Sequence, residues 1–169
     1  MWMVLQYMHS VYPSKEVRSA TPVISPAEMR ETITIRESGW SPDQSDLDAL
    51  SEETGPVDWQ MKWWRRTPPT DALYRIVEDG LDEDLPTIAV VDSMRLRGSN
   101  RRGPLHAVVI VGLGEHDVVV NNPWGDMNQT IPRDRVADAW DTTLNRVITM
   151  DLMTQSTLNE KITQEEVES

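Results

Sequence analysis

Two neighbouring apolar runs decide how this chain folds: Leu105–Leu113 (LHAVVIVGL) and Asp117–Asn121 (DVVVN), joined by the three residues 114–116 (GEH). Both runs are rich in β-branched residues, and a short connection that contains glycine is typical of a β-hairpin. We therefore predict two antiparallel strands here. Because their apolar stretches are nearly continuous, we expect both faces of these strands to be covered.

The sequence around the hairpin predicts further strands and helices. The additional strands are Thr87–Asp92 and Arg146–Leu152, and the helices are Ser25–Arg36, Ser45–Glu53, Thr70–Asp79 and Pro132–Trp140. Gly80 is expected to end the third of these helices. Residues 55–69, which include the Trp-rich segment 59–64, are expected to be irregular. Since helices come first and an antiparallel sheet follows, the predicted fold class is α+β.

The 169 residues are enough for one domain with a sizeable core. We place that domain at residues 1–152. Residues 153–169 are polar and lack an apolar period, so we expect a solvated, acidic tail there.

The charge balance is strongly acidic, with 16 Lys and Arg against 28 Asp and Glu, for a net charge of −12. High salt screens the repulsion among so many carboxylates, so the composition indicates a halophilic, cytoplasmic protein. A phosphate backbone would be repelled, and nucleic acid is therefore not an expected partner. The longest apolar stretches, Met1–Leu5 and Ala107–Val111, are too short to span a membrane.

The chain contains no cysteine, which excludes disulfides, thiolate metal sites and an encoded cysteine nucleophile. No cofactor is expected, because the glycines of residues 112–114 lack the third glycine and following helix of a dinucleotide-binding motif. His116, Asp117 and Asp126 do not have the spacing of metal ligands, so no metal site is predicted.

His106 lies near the start of one hairpin strand, and Asn122 follows the end of the other. A hairpin brings these two ends together. We predict that the Asn122 amide oxygen accepts the Nδ1–H of His106, which would leave Nε2 as a base. The alternatives are a packed strand histidine and an ordinary turn at residues 121–123.

These motifs resemble the papain-like cysteine peptidase superfamily, and most closely the branch of the bacteriocin-exporter leader peptidase domains and their stand-alone relatives. That branch has a His-x-Val-Val-Val-x-Gly strand, matched here by residues 106–112 (HAVVIVG). It also has a strand ending in Val-x-Val-x-Asp-Pro-x-Gly, matched by residues 118–125 (VVVNNPWG), and then a short helix, matched by Pro132–Trp140.

The resemblance implies a papain-like fold with an N-terminal buried helix, for which Met1–His9 is the candidate. His106 falls on the catalytic histidine and Asn122 on the orienting carboxylate, in the role that asparagine has in papain. The cysteine nucleophile would precede Met1, and Ser10 is too far along the helix to replace it. We therefore expect either a truncated gene model or a degenerate member.

The segment Arg95–Gly103 (RLRGSNRRG) is the basic loop of an acidic chain, and it directly precedes the His106 strand. We predict that Arg97, Arg101 and Arg102 border the cleft and bind an acidic peptide or a C-terminal carboxylate. The alternative is a mobile, solvated loop. Asp92, at the end of a strand, is expected to be a solvated terminus.

The resulting functional prediction is a cysteine-peptidase-like domain that acts on peptide or protein substrates through a Cys-His-Asn type of site, inactive without its nucleophile. The alternative is a non-catalytic peptide-binding module of a salt-adapted protein. A third possibility is an acidic structural or regulatory protein in which the His–Asn spacing is accidental.

Overall fold

The computed structural model describes residues 43–54, 57–64, 71–123, 125, 127–141 and 145–152, together with Ala27 and Glu31. The predicted helix Met1–His9 and the predicted tail 153–169 lie outside the described residues. Only Ala27 and Glu31 represent the predicted helix Ser25–Arg36, and both are helical.

The described part of the chain contains both helices and strands. In chain order they are α1 (Gln44–Thr54), β1 (Val57–Lys62), α2 (Ala72–Asp82), β2 (Thr87–Asp92), α3 (Ser93–Leu96), β3 (Leu105–Leu113), β4 (Asp117–Asn121), β5 (Gln129–Pro132), α4 (Arg133–Asp141) and β6 (Val147–Leu152). The strand order is β1-β6-β2-β3-β4-β5, which confirms the α+β class. By backbone contacts the chain divides into two units, Met1–Gln60 with Met150–Ser169, and Met61–Thr149.

In the first unit, α1 occupies the predicted position. Leu47, Leu50 and Trp59 are fully buried. The Ser51 hydroxyl donates to the Leu47 carbonyl at 2.9 Å and accepts from the Trp59 backbone N–H at 2.9 Å. This polar bridge satisfies a backbone donor that burial would otherwise leave unpaired.

The prediction of irregular structure across residues 55–69 is wrong for β1 (Val57–Lys62). Val57 and Trp59 are buried, while the Asp58 and Gln60 between them are partly exposed. That alternation has the period of a strand, and Trp fits a pleated, half-buried surface. The alternation of apolar and polar residues in this run (VDWQMK) was a strand signal that the sequence offered.

The helix predicted over residues 70–79 forms as α2, but Gly80 does not end it, because the helix continues to Asp82. The Gly80 carbonyl accepts from the Leu85 N–H at 2.7 Å. A Cβ on Gly80 would lie 2.8 Å from the Leu85 carbonyl oxygen. Glycine is therefore needed for the close return of the chain toward β2, and not for a C-terminal cap.

The second unit is built on the predicted strands β2, β3 and β4. β2 pairs with β3 in antiparallel register, with Val91 opposite His106 and Asp92 opposite Leu105. β3 pairs with β4 through the predicted hairpin, and Val109 lies opposite Asn121. The C-terminal ends of β2 and β4 therefore meet the N-terminal end of β3 at one end of the sheet.

β5 was not predicted, because three of its four residues are exposed and it carries no apolar period. It pairs with β4, with Val120 opposite Gln129 and Asp117 opposite Pro132. α4 and β6 form within one residue of their predicted starts and ends. Within the described ranges, no helix is long and apolar enough to cross a membrane.

The core of the second unit lies between one face of the sheet and helices α2 and α4. Its buried members are Leu73, Val77, Ala89, Val91, Leu96, Val108, Ile110, Val118, Val120, Ile131, Val136, Ala139, Trp140 and Val147. Trp64, from the Trp-rich segment, packs edge-on against Trp140 with ring centroids 5.6 Å apart. Burial of this apolar surface fixes the strand register and thereby the residues at the strand ends.

Candidate functional site

His106 is the second residue of β3 and is 7% exposed. Side chains alternate along a strand, so His106 shares a face with Val108 and Ile110, which belong to the core. The histidine therefore sits where the apolar face of the sheet reaches its end. A ring in this position is largely shielded from water.

Asn122, the first residue after β4, contacts His106 directly: Asn122 Oδ1 lies 2.7 Å from His106 Nε2. Since an amide oxygen only accepts hydrogen bonds, Nε2 carries the proton and donates it to Asn122. The predicted contact thus forms, but the predicted ring nitrogen, Nδ1, is wrong. In the tautomer that this contact requires, the basic lone pair belongs to Nδ1.

The turn after β4 is held in place by its own polar groups. The buried Asn121 accepts the Asn128 N–H through Oδ1 at 2.8 Å, and the Gly125 N–H donates to the Asn122 carbonyl at 3.0 Å. A Cβ on Gly125 would lie 3.3 Å from the Asn122 amide nitrogen. The turn therefore closes around Asn122 and restricts where its side chain can point.

Two of the three influences on the imidazole of His106 favour its neutral form. Burial lowers the pKa of His106, the hydrogen bond with Asn122 raises it, and the positive charge of Arg97 lowers it again. The pKa of His106 ends below its ordinary value. At neutral pH the ring is therefore a neutral base, as general-base chemistry requires.

The segment between β2 and β3 begins with Asp92, which is 3% exposed. The prediction of a solvated terminus is wrong: Asp92 Oδ1 accepts the N–H groups of Met94 at 2.9 Å and Arg95 at 3.0 Å, and so caps α3. The Gly103 N–H also donates to both Asp92 oxygens, at 3.0 and 2.9 Å. One carboxylate thus joins the two ends of the segment.

Burial raises the pKa of Asp92. The hydrogen bonds from the N–H groups of Arg95, Gly103 and Met94, together with the Arg95 charge, lower it by more, so the pKa of Asp92 ends below its usual value. The carboxylate is therefore ionised at neutral pH. We call this arrangement the Asp92 clasp.

Three further contacts order the backbone between the two ends of the clasp. The Ser93 N–H donates to the Pro104 carbonyl at 3.1 Å. At the end of α3, the Gly98 N–H donates to the Arg95 carbonyl at 2.8 Å and the Ser99 N–H to the Met94 carbonyl at 2.9 Å. With Gly98 at a φ of 81°, this is a Schellman motif. These hydrogen bonds define the course of the backbone in this segment.

The arginine side chains of this segment differ in their partners. Arg95 pairs with Asp138 at 3.2 Å. Arg97, Arg101 and Arg102 are exposed, and within the described part of the chain none of them has a salt bridge. Arg97 is the one whose charge acts on His106. We call Arg97, Arg101 and Arg102 the arginine rim.

The structure brings the predicted His106 and Asn122 into contact, but the sequence analysis missed the structural roles of Asp92 and Asn121. An aspartate at a strand end, followed by a short apolar segment, is also the signature of a helix N-cap, and that signal was available. Asn121 carried no such signal, because two successive asparagines do not show which one points inward. In the described ranges no group of three or more His, Cys, Asp or Glu side chains could hold a metal ion.

The sequence matches no family model, and no match was found among curated proteins. A solved structure from Bacillus anthracis, described in its title as that of a C39-like peptidase, has a TM-score of 0.59 with this chain at 10% sequence identity. The alignment covers 82% of this chain and 85% of that one.

At this level of identity the likeness concerns the fold alone. The chain has an α+β fold that resembles the fold of the C39-like peptidase from Bacillus anthracis.

Proposed function

We propose that this chain is a cysteine-peptidase-like domain whose His106–Asn122 pair forms the base half of a peptide-processing site. The contact of 2.7 Å between Asn122 Oδ1 and His106 Nε2 carries this proposal. It orients the ring and leaves the lone pair on Nδ1, while burial keeps the imidazole neutral at physiological pH. These properties are those of a general base that deprotonates a thiol and later protonates a leaving amine.

The 169 residues supply no thiol. On their own they therefore bind an extended peptide beside His106 without cleaving it. This is the binding-module form of the same proposal, and it predicts affinity without turnover. Within the superfamily, the motif of residues 118–125 favours the branch of leader-peptide-cutting domains, although Asn122 stands where that branch has aspartate.

Peptide binding without cleavage is measured directly on the 169-residue chain. Fluorescein-labelled, charge-neutral peptides of eight residues with blocked ends are titrated by fluorescence anisotropy, and their integrity is followed by mass spectrometry. We expect saturable binding, intact peptides and weaker binding for His106→Ala. The matched control, His116→Ala, changes an exposed histidine of the hairpin connection and leaves binding unchanged. Absence of binding by any such peptide would overturn the proposal.

The second candidate is an active peptidase whose thiol lies in residues encoded before Met1. The retained His106–Asn122 geometry favours it, because a site that only binds peptides does not need an oriented base. Translation of the upstream DNA in frame tests it. A cysteine followed by glycine or another small residue within about ten codons supports catalysis, whereas a stop codon there supports binding alone.

We also propose that the protein works in a salt-rich cytoplasm, on the strength of its net charge of −12. At molar salt the Debye length falls to about 3 Å, so repulsion among exposed carboxylates is screened. Thermal unfolding in increasing KCl tests this. The melting temperature should rise well beyond 0.2 M salt, and a melting temperature that stays constant or falls would contradict the proposal.

A further inference from the structure

The strongest charged feature outside the His106–Asn122 pair is the arginine rim. The backbone that carries the rim is ordered, because hydrogen bonds close it between residues 92 and 104. The side chains of Arg97, Arg101 and Arg102 are exposed to solvent. The chain that carries these three cations has a net charge of −12.

The register of the sheet places the rim at the end that holds His106. β2 ends at Asp92, directly opposite Leu105, the residue before His106. The segment leaves the sheet at Asp92 and returns at Pro104, so both of its ends are adjacent to the start of β3. Arg97 lies close enough for its charge to act on the histidine.

The Asp92 clasp holds the backbone of the arginine rim beside the start of β3. Gly103 has no room for a side chain, since a Cβ there would lie 2.5 Å from Met94 Cγ and 2.8 Å from both the Met94 nitrogen and the Ser93 hydroxyl. Gly98 supplies the left-handed backbone that turns the chain directly after Arg97. A preorganised cation loses less entropy on binding an anion than one on a flexible loop.

The partners of the arginines show which of them are available to a ligand. Arg95 is occupied by Asp138. The chain carries 28 acidic residues, yet the three rim arginines have no salt bridge with any described residue. A planar guanidinium forms paired hydrogen bonds with a carboxylate, which a lysine cannot reproduce.

We propose that the arginine rim selects peptides that carry a carboxylate beside the segment bound at His106, with Arg97 as the principal specificity residue and Arg101 and Arg102 as weaker contributors. This inference rests on the proposed function, because it needs a peptide in the same site. The carboxylate comes from an acidic side chain or from a free C-terminus. Because the rim is positively charged, a cationic peptide gains no comparable contact there.

Three labelled peptides of one length test the selection on the full 169-residue chain: a neutral one with blocked ends, the same peptide with two internal glutamates, and the same peptide with a free C-terminal carboxylate. At about 0.1 M salt we expect one or both carboxylate peptides to bind roughly tenfold tighter than the neutral one, a difference of about 1.4 kcal/mol. The carboxylate peptide that binds more tightly shows whether the carboxylate comes from an acidic side chain or from a free C-terminus.

Matched variants assign the effect to the rim. Arg97→Gln should remove most of the tenfold preference, while Arg97→Lys should retain only part of it. Arg101→Gln and Arg102→Gln should each reduce it two- to threefold. Arg75→Gln is the control, because it removes the same charge from an exposed arginine of α2 that pairs with Asp71.

The outcomes separate this inference from the proposed function. Equal affinities for neutral and carboxylate peptides overturn the selection and leave the peptide site standing. A preference that Arg75→Gln abolishes as fully as Arg97→Gln assigns it to net charge and also overturns the inference. If no peptide binds, both proposals fail.

Discussion

The hairpin of β3 and β4 and the segment between β2 and β3 meet at the same end of the sheet, but they are built differently. The hairpin places His106 and Asn122 by apolar burial and strand register, which a sequence pattern expresses directly. The neighbouring segment is ordered by one buried carboxylate, Asp92, that gathers backbone N–H groups from both of its ends. Apolar packing thus places the histidine, and the polar clasp orders the neighbouring segment that carries the arginine rim.

The largest expected effect comes from breaking the clasp. Asp92→Ala leaves the N–H groups of Met94, Arg95 and Gly103 without their acceptor and removes the cap of α3, so we expect a loss of about 3 kcal/mol of unfolding free energy. Urea denaturation measures it. Asp92→Asn keeps one acceptor oxygen and should lose about half as much. The exposed Asp138→Ala should change stability by less than about 1 kcal/mol; a result for Asp92→Ala in that same range would contradict the clasp.

The two glycines of the segment provide the next effect. Gly103→Ala forces a Cβ against Met94 and Ser93, and overpacking of this kind costs about 2–3 kcal/mol. Gly98→Ala meets only the Arg135 side chain, at 3.6 Å, and pays mainly for its φ of 81°, about 1 kcal/mol. Denaturation midpoints should therefore fall in the order wild type, Gly98→Ala, Gly103→Ala. The reverse order would show that backbone strain, and not close packing, dominates this segment.

Asn122 controls both the stability of the site and the titration of His106. Asn122→Leu removes the hydrogen bond to the ring and should cost about 1 kcal/mol. It should also lower the pKa of His106 further, because that bond raises it. Asn122→Asp should raise the pKa, since a carboxylate stabilises the imidazolium.

Arg97→Gln should likewise raise the pKa of His106, because it removes a neighbouring positive charge. Proton NMR follows all these titrations, with Arg75→Gln as the unshifted control. A pKa of His106 that is unaffected by either Asn122 variant would contradict the observed contact.

The smallest effect is the dependence of stability on pH. A histidine whose pKa is lower in the folded state binds fewer protons there than in the unfolded chain. Its contribution is therefore lost as the pH falls through the ordinary value of about 6.5 toward the lower folded value. Unfolding free energy measured across that window should decline in the wild type, and His106→Gln should flatten the decline. Asp92, whose pKa is also lowered, acts only below about pH 4.

The contrast between the two regions also explains which elements of the fold can be predicted from the sequence. The first and last residues of β2, β3 and β4 were predicted correctly, because a β-branched run bounded by glycine and polar residues strongly favours a strand over other structures. β5 was missed, because its pairing with β4 leaves no apolar period in four mostly exposed residues. Gly80 was misassigned, because a glycine required by the approach of Leu85 looks the same in sequence as a helix cap.

At the site, the spacing of His106 and Asn122 predicted the contact but not the ring nitrogen, which depends on where the turn places the amide. The composition of the segment after β2 is basic and glycine-rich, which left a border of the cleft and a mobile, solvated loop as alternatives. Its order depends on hydrogen bonds that the Asp92 carboxylate accepts from the Gly103 N–H, eleven residues away, and no local sequence pattern predicts such a contact.

The claim on which the rest depends is that Asn122 orients His106 as a neutral base that a bound peptide can reach. Long-range ¹⁵N–¹H spectra of the histidine rings test it most directly, and the chain has only three histidines to assign. At pH 8 we predict that His106 is protonated on Nε2, and that its ring resonances move when the neutral blocked peptide is added. An Nδ1-protonated ring, or one that does not respond to any peptide that binds, would contradict the account.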